Sequence, residues 1–585
     1  MSEYILLLLF LPLAFAITIL FNSVRVRNIT TYLFVSFLAL MSLKLFFENT
    51  IIELNFNHAV HILFIVVDFI LMGYFLYQGV KYKDRLISVF AVLQLLLFIL
   101  FLQFSPTNIS SDIFVDKISY VMLLVINIVG GIIILYSLKY IQSEDVKDCK
   151  KNLFISILFF FLGVMNLTVT TNNIEIFFLG FELTTLCSYI LIRYRGDDLA
   201  WSNAKRALWM NQIGGVAILF SLIASAYYYD TIYFDRLLEV VDDTFLIPIS
   251  LLIIAAFVKG ASIPFDKWLL GAMVAPTPVS AILHSATMVK IAPYLILKLA
   301  PAFSPWLSMA VVLFGSFIFL SGSLLALSRD YFKEILGYST IALLGFMMAM
   351  AAINTQESIN IALIVIVFHA ISKALLFLQA GILEKVYHLK YLQDINYLSS
   401  YSKFIVFCII IGFASLTLPP FGVFIGKFES IRLLASLIEN NILYLISLIF
   451  VLMGSVILTL LYFKVITKLI PQDKKEHENI TIDLTYKITS LMLIGLLFLG
   501  INISYQYDFM NQFDILVAVG IFAITFVMLY FIDFRKIKKV SEYNCGEKDE
   551  VQLSAYYFYI PNLYKKIIFY TAITLMIFVL CLGVV

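Results

Sequence analysis

Seven ionisable residues stand inside stretches of the chain that are otherwise apolar: Glu182, Lys259, His284, Lys290, His369, Lys373 and Lys427. A charge held near the centre of a bilayer costs at least ~2.5 kcal/mol, so each needs a partner or a task. Glu182 lies in the run Ile176 to Ile190 with no basic neighbour on the same helix, and its partner must come from elsewhere. Lys259, directly after Leu251 to Val258, is the first candidate. A carboxylate and an ammonium within ~4–6 Å hold each other ionised, and parting them frees a proton-binding site. A buried ion pair of purely structural use satisfies the same argument.

The remaining five are basic. His284 follows the break Pro276-Thr277-Pro278 and precedes Lys290 by six residues, under two helical turns, so that a water would have to join them. His369 and Lys373 are four residues apart within Ile361 to Leu378 and share one helical face. Histidine and desolvated lysine are the side chain types that exchange protons near physiological pH, which is what a relay requires. A lone membrane histidine also serves as a helix-bridging hydrogen-bond donor. Asp68, in the run Ile62 to Tyr77 with His61 nearby, is a further intramembrane acid for which the sequence names no partner. Glu175, one heptad before Glu182, falls close to a helix start, where a solvated position is expected.

Other chemistries lack their residues. The five cysteines, Cys149, Cys187, Cys408, Cys545 and Cys581, form no C-x-x-C pair, so neither an iron–sulfur cluster nor a disulfide framework is expected in this chain. No Gly-rich phosphate loop with its lysine occurs, which argues against direct pumping by ATP. A net charge of +2 gives no case for nucleic acid. The abundant tyrosines and phenylalanines read as lipid-facing packing and interface anchors.

The elements that must position these residues follow from composition. Of 585 residues 62% are hydrophobic and 13% charged, too few charges to coat a soluble surface. Apolar runs recur from Tyr4–Phe21 to Ile567–Val585, and cutting at polar or Pro/Gly-rich breaks leaves roughly 18 candidates near the ~20 residues a span demands. The first run has its basic residues, Arg25 and Arg27, after it rather than before, and reads as a retained helix. Basic residues fall in alternate loops: Arg25/Arg27, Lys81/Lys83/Arg85, Lys147/Lys150/Lys151, Arg193/Arg195, Arg329/Lys333, Lys385/Lys390, Lys474/Lys475 and Arg535/Lys536/Lys538/Lys539. By the positive-inside rule these face the cytoplasm and both termini lie outside.

Two segments break the helical pattern alike. Lys259 is followed by Gly260 and Pro264, and Pro419, Pro420 and Gly422 precede Lys427. Proline removes a donor and clashes with the preceding turn, so each should be a broken helix with freed backbone groups inside the membrane. Ordinary interhelical loops are the plainer alternative. Corresponding broken segments, about 160 residues apart, suit a transporter of two repeats of about five helices.

At these residues the chain resembles the antiporter-like subunits of respiratory complex I, of membrane-bound hydrogenases and of multisubunit sodium/proton antiporters. The segments are Phe178-Leu-Gly-Phe-Glu-Leu-Thr-Thr-Leu-Cys-Ser-Tyr189, Pro276-Thr-Pro-Val-Ser-Ala-Ile-Leu-His-Ser-Ala-Thr-Met-Val289, Phe368-His-Ala-Ile-Ser-Lys-Ala-Leu-Leu-Phe377 and Leu418-Pro-Pro-Phe-Gly-Val-Phe-Ile-Gly-Lys427. The resemblance implies an all-α polytopic fold with two inverted five-helix repeats. It implies an antiporter-like core over 116–470, N-terminal helices over 1–115, and C-terminal helices over 471–585 with a short cytoplasmic segment at 535–565. It gives Glu182 and Lys259 the first half-channel, His284, His369 and Lys373 the central axis, and Lys427 the end of the second half-channel. Lysine at that last position resembles the largest subunit type.

Departures are equally specific. Relatives in complex I often place a second histidine one turn before His369, where this chain has Val365, so its central relay must differ or use water. Lys290 and Glu542-Tyr-Asn-Cys-Gly-Glu547 look more like the hydrogenase-associated relatives. Two runs, Ala59 to Gln78 and Leu86 to Phe104, are additional to the usual pattern.

The function implied is a proton- or sodium-translocating subunit, in the inner membrane, of a complex I-like redox assembly. A ferredoxin-dependent hydrogenase is favoured, with iron–sulfur and nickel–iron centres on its partners and none here. A quinone-reducing complex, a stand-alone cation/proton antiporter and a membrane scaffold are the alternatives. The family's largest complex I subunit carries a long lateral helix before a last anchor; here Gly546 and Pro561 interrupt Arg535 to Lys565, predicting a short excursion that touches at most one neighbour.

Overall fold

The computed structural model describes residues 2–240, 245–395, 402–469, 481–506 and 558–583, with isolated positions at 398, 516, 520 and 524. Apart from one small sheet the regular elements among these residues are helices, and 15 of them are long and apolar enough to cross a membrane. The chain is an all-α, multi-pass membrane protein. Two further apolar helices, Arg85–Phe101 and Ile247–Lys259, are shorter. The expected excursion over Arg535 to Lys565, with its neighbour contact, lies largely outside the described residues. The chain after it enters the final helix at Asn562, somewhat before the expected Ile567.

The spans begin where the sequence supplies a cap. Asn57, Asp84, Asp116, Asn173, Asp197, Ser304, Thr355 and Ser402 each accept a backbone N–H of the first turn that would otherwise be unpaired in a medium without water. Several end on Asn or Asp in the left-handed region, as at Asn49, Asp230 and Asn354. Asp116 also binds Lys298, Nζ to Oδ2 2.7 Å. Burial works against its charge, but the Lys298 ammonium and the Ser119 N–H outweigh it and hold its carboxyl below the usual range.

The N-terminal helices α1 (Ser2–Phe21), α2 (Val24–Glu48), α3 (His58–Lys81) and α4 (Arg85–Phe101) lie at the periphery. Between them Ile52–Leu54 pairs antiparallel with Ile113–Val115, Glu53 opposite Phe114. The two additional runs are thus α3 and α4, a hairpin that packs on α7 (Ile174–Ile192) and α8 (Asp198–Tyr229). Close approach at its tip uses Gly79, where a Cβ would meet Ser88 Oγ at 2.5 Å.

The core is built from α5 (Lys117–Gln142), α6 (Asp148–Thr170), α7, α8, α9 (Ile247–Lys259), α10 (Asp266–Gly271), α11 (Thr277–Ala302), α12 (Pro305–Leu327), α13 (Phe332–Ile353) and α14 (Gln356–Val386). Around α14 stand α15 (Lys403–Thr417), α16 (Gly422–Leu437) and α18 (Leu484–Gln506), while α17 (Leu443–Leu469) and α19 (Asn562–Cys581) lie against α12. Helices α11 and α13 are wholly enclosed by others, whereas α17 and α19 face outward with most of their side chains. An all-round apolar helix has no preferred face in lipid, so polar residues decide which side turns inward.

Both expected breaks occur. Helix α9 stops at Gly260, Ala261 takes φ 52°, and the Ile263–Pro264 peptide is cis before α10. Helix α15 stops at Thr417, Leu418 is extended, and Pro419–Pro420 is cis before α16. Freed carbonyls find partners: Val258 O accepts Trp268 Nε1 at 2.9 Å, and Leu416 O accepts Lys427 Nζ at 3.1 Å. Two further distortions have no signature in the sequence. Residues Val125–Val129 of α5 and Ile282–Ala286 of α11 form wide π turns that pack together, and the second carries His284.

Candidate functional site

All seven residues singled out by type are buried: Lys427 is 4% exposed and the other six 0%. The structure sorts them into two groups and one outlier.

The first group is Glu182 with Lys259. No direct ion pair joins them among the described residues. Lys259 Nζ crosses from the last turn of α9 to α7, where it donates to Phe181 O at 2.8 Å and Thr185 Oγ1 at 2.9 Å. It also stands 3.7 Å from the centroid of the Phe181 ring. These contacts flank Glu182 in the chain, and the two charges interact electrostatically without touching. The reason is competition: a carbonyl, a hydroxyl and a ring face already satisfy the ammonium. Glu182 Oε1 instead accepts Gln94 Nε2 at 2.9 Å, and Gly215 on α8 makes the room, since a Cβ there would overlap that oxygen.

The second group lies on the axis formed by α11, α13 and α14. Lys290, expected to communicate with His284, instead meets His369, Nζ to Nδ1 2.6 Å, with Met347 Sδ at 3.7 Å. The break after His284 causes this. Thr287, at φ −124° and ψ −112°, interrupts α11 and the tight turn Met288–Lys290 re-aims the lysine toward α14. Lys290 is thereby the polar partner of His369. Lys373, one turn beyond His369, donates to Leu336 O at 3.1 Å and Ser339 Oγ at 2.5 Å on α13. His284 stacks its ring 4.7 Å from that of Phe377, and neither of its nitrogens has a hydrogen-bond partner among the described residues. It interacts electrostatically with Lys373 and with His369.

Lys427 is the outlier, one turn into α16 and anchored on Leu416 O across the proline break. A hydroxyl pair, Ser372 Oγ to Ser415 Oγ at 2.6 Å, links α14, which carries Lys373, to α15 on the near side of the break.

Three features escape sequence reasoning. Gln94 lies within what reads as an apolar run. Glu384, three turns beyond Lys373 on α14, binds Lys333, approaches Arg195 at 3.6 Å and accepts Thr277 Oγ1 at 3.2 Å. It lines a cavity of about 430 Å³ with Tyr140, Glu144, Lys385, His388 and Lys390. Its helical spacing from Lys373 is the available signal. Glu175, expected to be solvated, is only 8% exposed.

An enclosed row of basic groups flanked by broken helices is the setting in which known ion-translocating proteins are informative. A family model described as NADH:quinone oxidoreductase/Mrp antiporter, TM, matches residues 171–458, and one described as NADH-ubiquinone oxidoreductase (complex I), chain 5 N-terminus, matches 101–148. The chain belongs to this antiporter-like family. It is 32% identical over 379 residues to a Na(+)/H(+) antiporter subunit of Alkalihalophilus pseudofirmus, covering 57% of this chain and 46% of that one. It is 32% identical over 280 residues to the chloroplastic NAD(P)H-quinone oxidoreductase subunit 5 of Zea mays, covering 46% and 37%. The matches thus span less than half the length of either relative. Among solved structures, a chain of the membrane-bound sulfane sulfur reductase, an archaeal respiratory membrane complex, superposes with a TM-score of 0.62 at 20% identity, over 77% of this chain and 96% of that one. At that identity the likeness is one of fold. All seven site residues lie inside the antiporter-like match, as do both breaks, whereas α3 and most of α4 precede both matched stretches.

Proposed function

We propose that the chain is an ion-translocating membrane subunit of a complex I-like redox assembly, moving protons, with sodium as the alternative ion, through Glu182, Lys259, His284, Lys290, His369, Lys373 and Lys427. The observation that carries this is the Lys290–His369–Lys373 row. Two lysine side chains and an imidazole sit together in a buried core, held by neutral partners, with no carboxylate bound to them among the described residues. Such a row is costly as a packing device and suited to passing protons, because each proton gained by one member disfavours its neighbour.

Within this reading the favoured assembly is a ferredoxin-dependent energy-converting hydrogenase, whose peripheral subunits would hold iron–sulfur and nickel–iron centres. Lys290 in contact with His369 supports that preference, since it replaces the second histidine of complex I relatives. The second reading is one component of a multisubunit sodium/proton antiporter in the inner membrane, favoured by the 32% identity to the Alkalihalophilus pseudofirmus protein.

Lys373→Met tests the common part. The lysine has no ionic partner among the described residues to strand, so the complex should assemble, while ion flux in proteoliposomes should fall at least ~10²-fold. Unchanged flux would refute translocation and leave the charges as a scaffold. Mass spectrometry of the gently solubilised complex separates the two assemblies by the presence or absence of redox subunits.

A further inference from the structure

The proposed function makes no use of α3 and α4, yet they reach its first carboxylate. Helix α3 runs beside α7 in the same direction: His61 Nε2 and Asn173 Nδ2 both bind Asp112 at one end, at 3.0 Å and 3.2 Å, and Tyr189 OH donates to Gln78 Oε1 at 3.0 Å at the other. That register puts Asp68 level with Leu179, about one turn from Glu175 on one side and Glu182 on the other. Asp68 is 0% exposed, and neither of its oxygens has a hydrogen-bond partner among the described residues. It interacts electrostatically with Glu175 and Glu182, the titratable groups that α7 turns toward it; α4 presents the neutral Gln94. Glu175 in turn interacts with Asp112.

We propose that α3 gives Glu182 its own proton lane to the surface, His61–Asp112–Glu175–Asp68–Glu182, in which Asp68 is a proton-binding site. Four carboxyls stand in one buried file. Among the described residues Lys259 is the one ammonium that interacts with Glu182, and His61 caps the surface end. A file so short of positive charge is neutralised by bound protons rather than left as stacked anions. Its unpaired polar atoms include both Asp68 oxygens and Glu182 Oε2, with Gln94 Oε1 on the side chain that binds Glu182. His61, 26% exposed, opens the file to the surface, at the end opposite the basic loops. A single acidic step one turn from two others matches the spacing that side-chain rotation or one water can bridge. Structural use alone would leave a buried acid without a partner, a desolvation cost that leucine at this position would remove.

This lane rests on the reading of Glu182 as an ion carrier, and the test separates the two. Asp68→Asn, Asp68→Glu and Glu182→Gln are compared in the whole complex in proteoliposomes, by initial proton flux and by infrared difference spectra of protonated carboxyls during turnover. Asp68→Asn should lower flux about tenfold and remove one carboxyl band, and Asp68→Glu should restore flux and shift that band. Wild-type flux in Asp68→Asn beside a dead Glu182→Gln overturns the lane alone. Flux surviving in both overturns the reading beneath it, and the lane with it. Should Asp68→Asn fail to assemble, the band in Asp68→Glu decides: a shifted band supports the lane and an unshifted one overturns it.

Discussion

The Glu182 end and the Lys373–Lys427 end of the molecule handle buried charge in different ways. Around Glu182 both acidic and basic groups are present: Lys259 interacts with Glu182, and Asp68 and Glu175 add further carboxyl groups. Around Lys373 and Lys427 every partner among the described residues is a neutral acceptor, Leu336 O, Ser339 Oγ and Leu416 O, and Lys290 leans on an imidazole. A mixed site can store charge as an attraction that is broken and remade. A basic site can only distribute protons among repelling members. Position in the fold thus separates a switch-like end from a relay-like end, although both are built on a broken helix and a lysine.

The same substitution should expose that contrast most strongly. Lys259→Met leaves Glu182 buried without the one cation that interacts with it among the described residues, costing on the order of 3 kcal/mol, whereas Lys427→Met strands no charge and should cost well under ~1 kcal/mol. Both should abolish coupled pumping while the complex remains assembled at low temperature. Thermal denaturation of the purified complex, paired with flux measurements, checks this. Equal losses of stability would erase the distinction, and normal pumping by Lys427→Met would remove that residue from the track.

A smaller effect is expected from two glycines, one against Glu182 and one next to Lys427 in the chain. A Cβ at Gly215 would overlap both Glu182 Oε1 and Gln94 Nε2, while one at Gly426 would press only on Val365 Cγ2, at 2.5 Å. Gly215→Ala should therefore displace polar groups that carry the ion and slow flux several-fold, with a stability cost of about 1–3 kcal/mol. Gly426→Ala asks one methyl group to give way and should leave flux nearly intact. Adding Gln94→Ala to Gly215→Ala should recover part of the loss, and a purely additive double mutant would deny that Gln94 and Glu182 share the space.

How much of this is legible in the sequence depends on range. Glu182, Lys259 and Lys427 stand out because a charge in an apolar run is conspicuous within a single window, and both proline breaks are local chemistry. The pairing of Lys290 with His369 is hidden, since it depends on Thr287 interrupting α11 and on where α14 packs, facts written in residues 79 positions apart. Gln94 is hidden for another reason: one amide in an apolar run resembles tolerated polarity until α4 is seen lying on α8 and reaching α7. Asp68 is conspicuous but partnerless in the sequence, because its neighbours Glu175 and Glu182 reach it only through the register of α3 against α7.

The smallest effect should come from the hydroxyl bridge between the Lys373 side and the Lys427 side. Ser372 Oγ lies 2.6 Å from Phe368 O and 2.6 Å from Ser415 Oγ, and Ser415 Oγ lies 2.8 Å from Gly412 O. Three contacts share two hydroxyl protons, so at any instant one of the serines gives up its own helix carbonyl to donate to the other. The pair has two arrangements of similar energy, and switching between them reverses the direction of the bridge. Ser372→Ala removes the bridge and should cost only about 0.5–1.5 kcal/mol, with flux reduced a few-fold because Lys373 keeps Leu336 O and Ser339. No described neighbour of Glu182 offers an equivalent, so the effect is specific to the basic end. Flux in Ser372→Ala, Ser415→Ala and the double variant decides it: equal losses in all three mark one shared bridge, and additive losses mark two independent packing contacts.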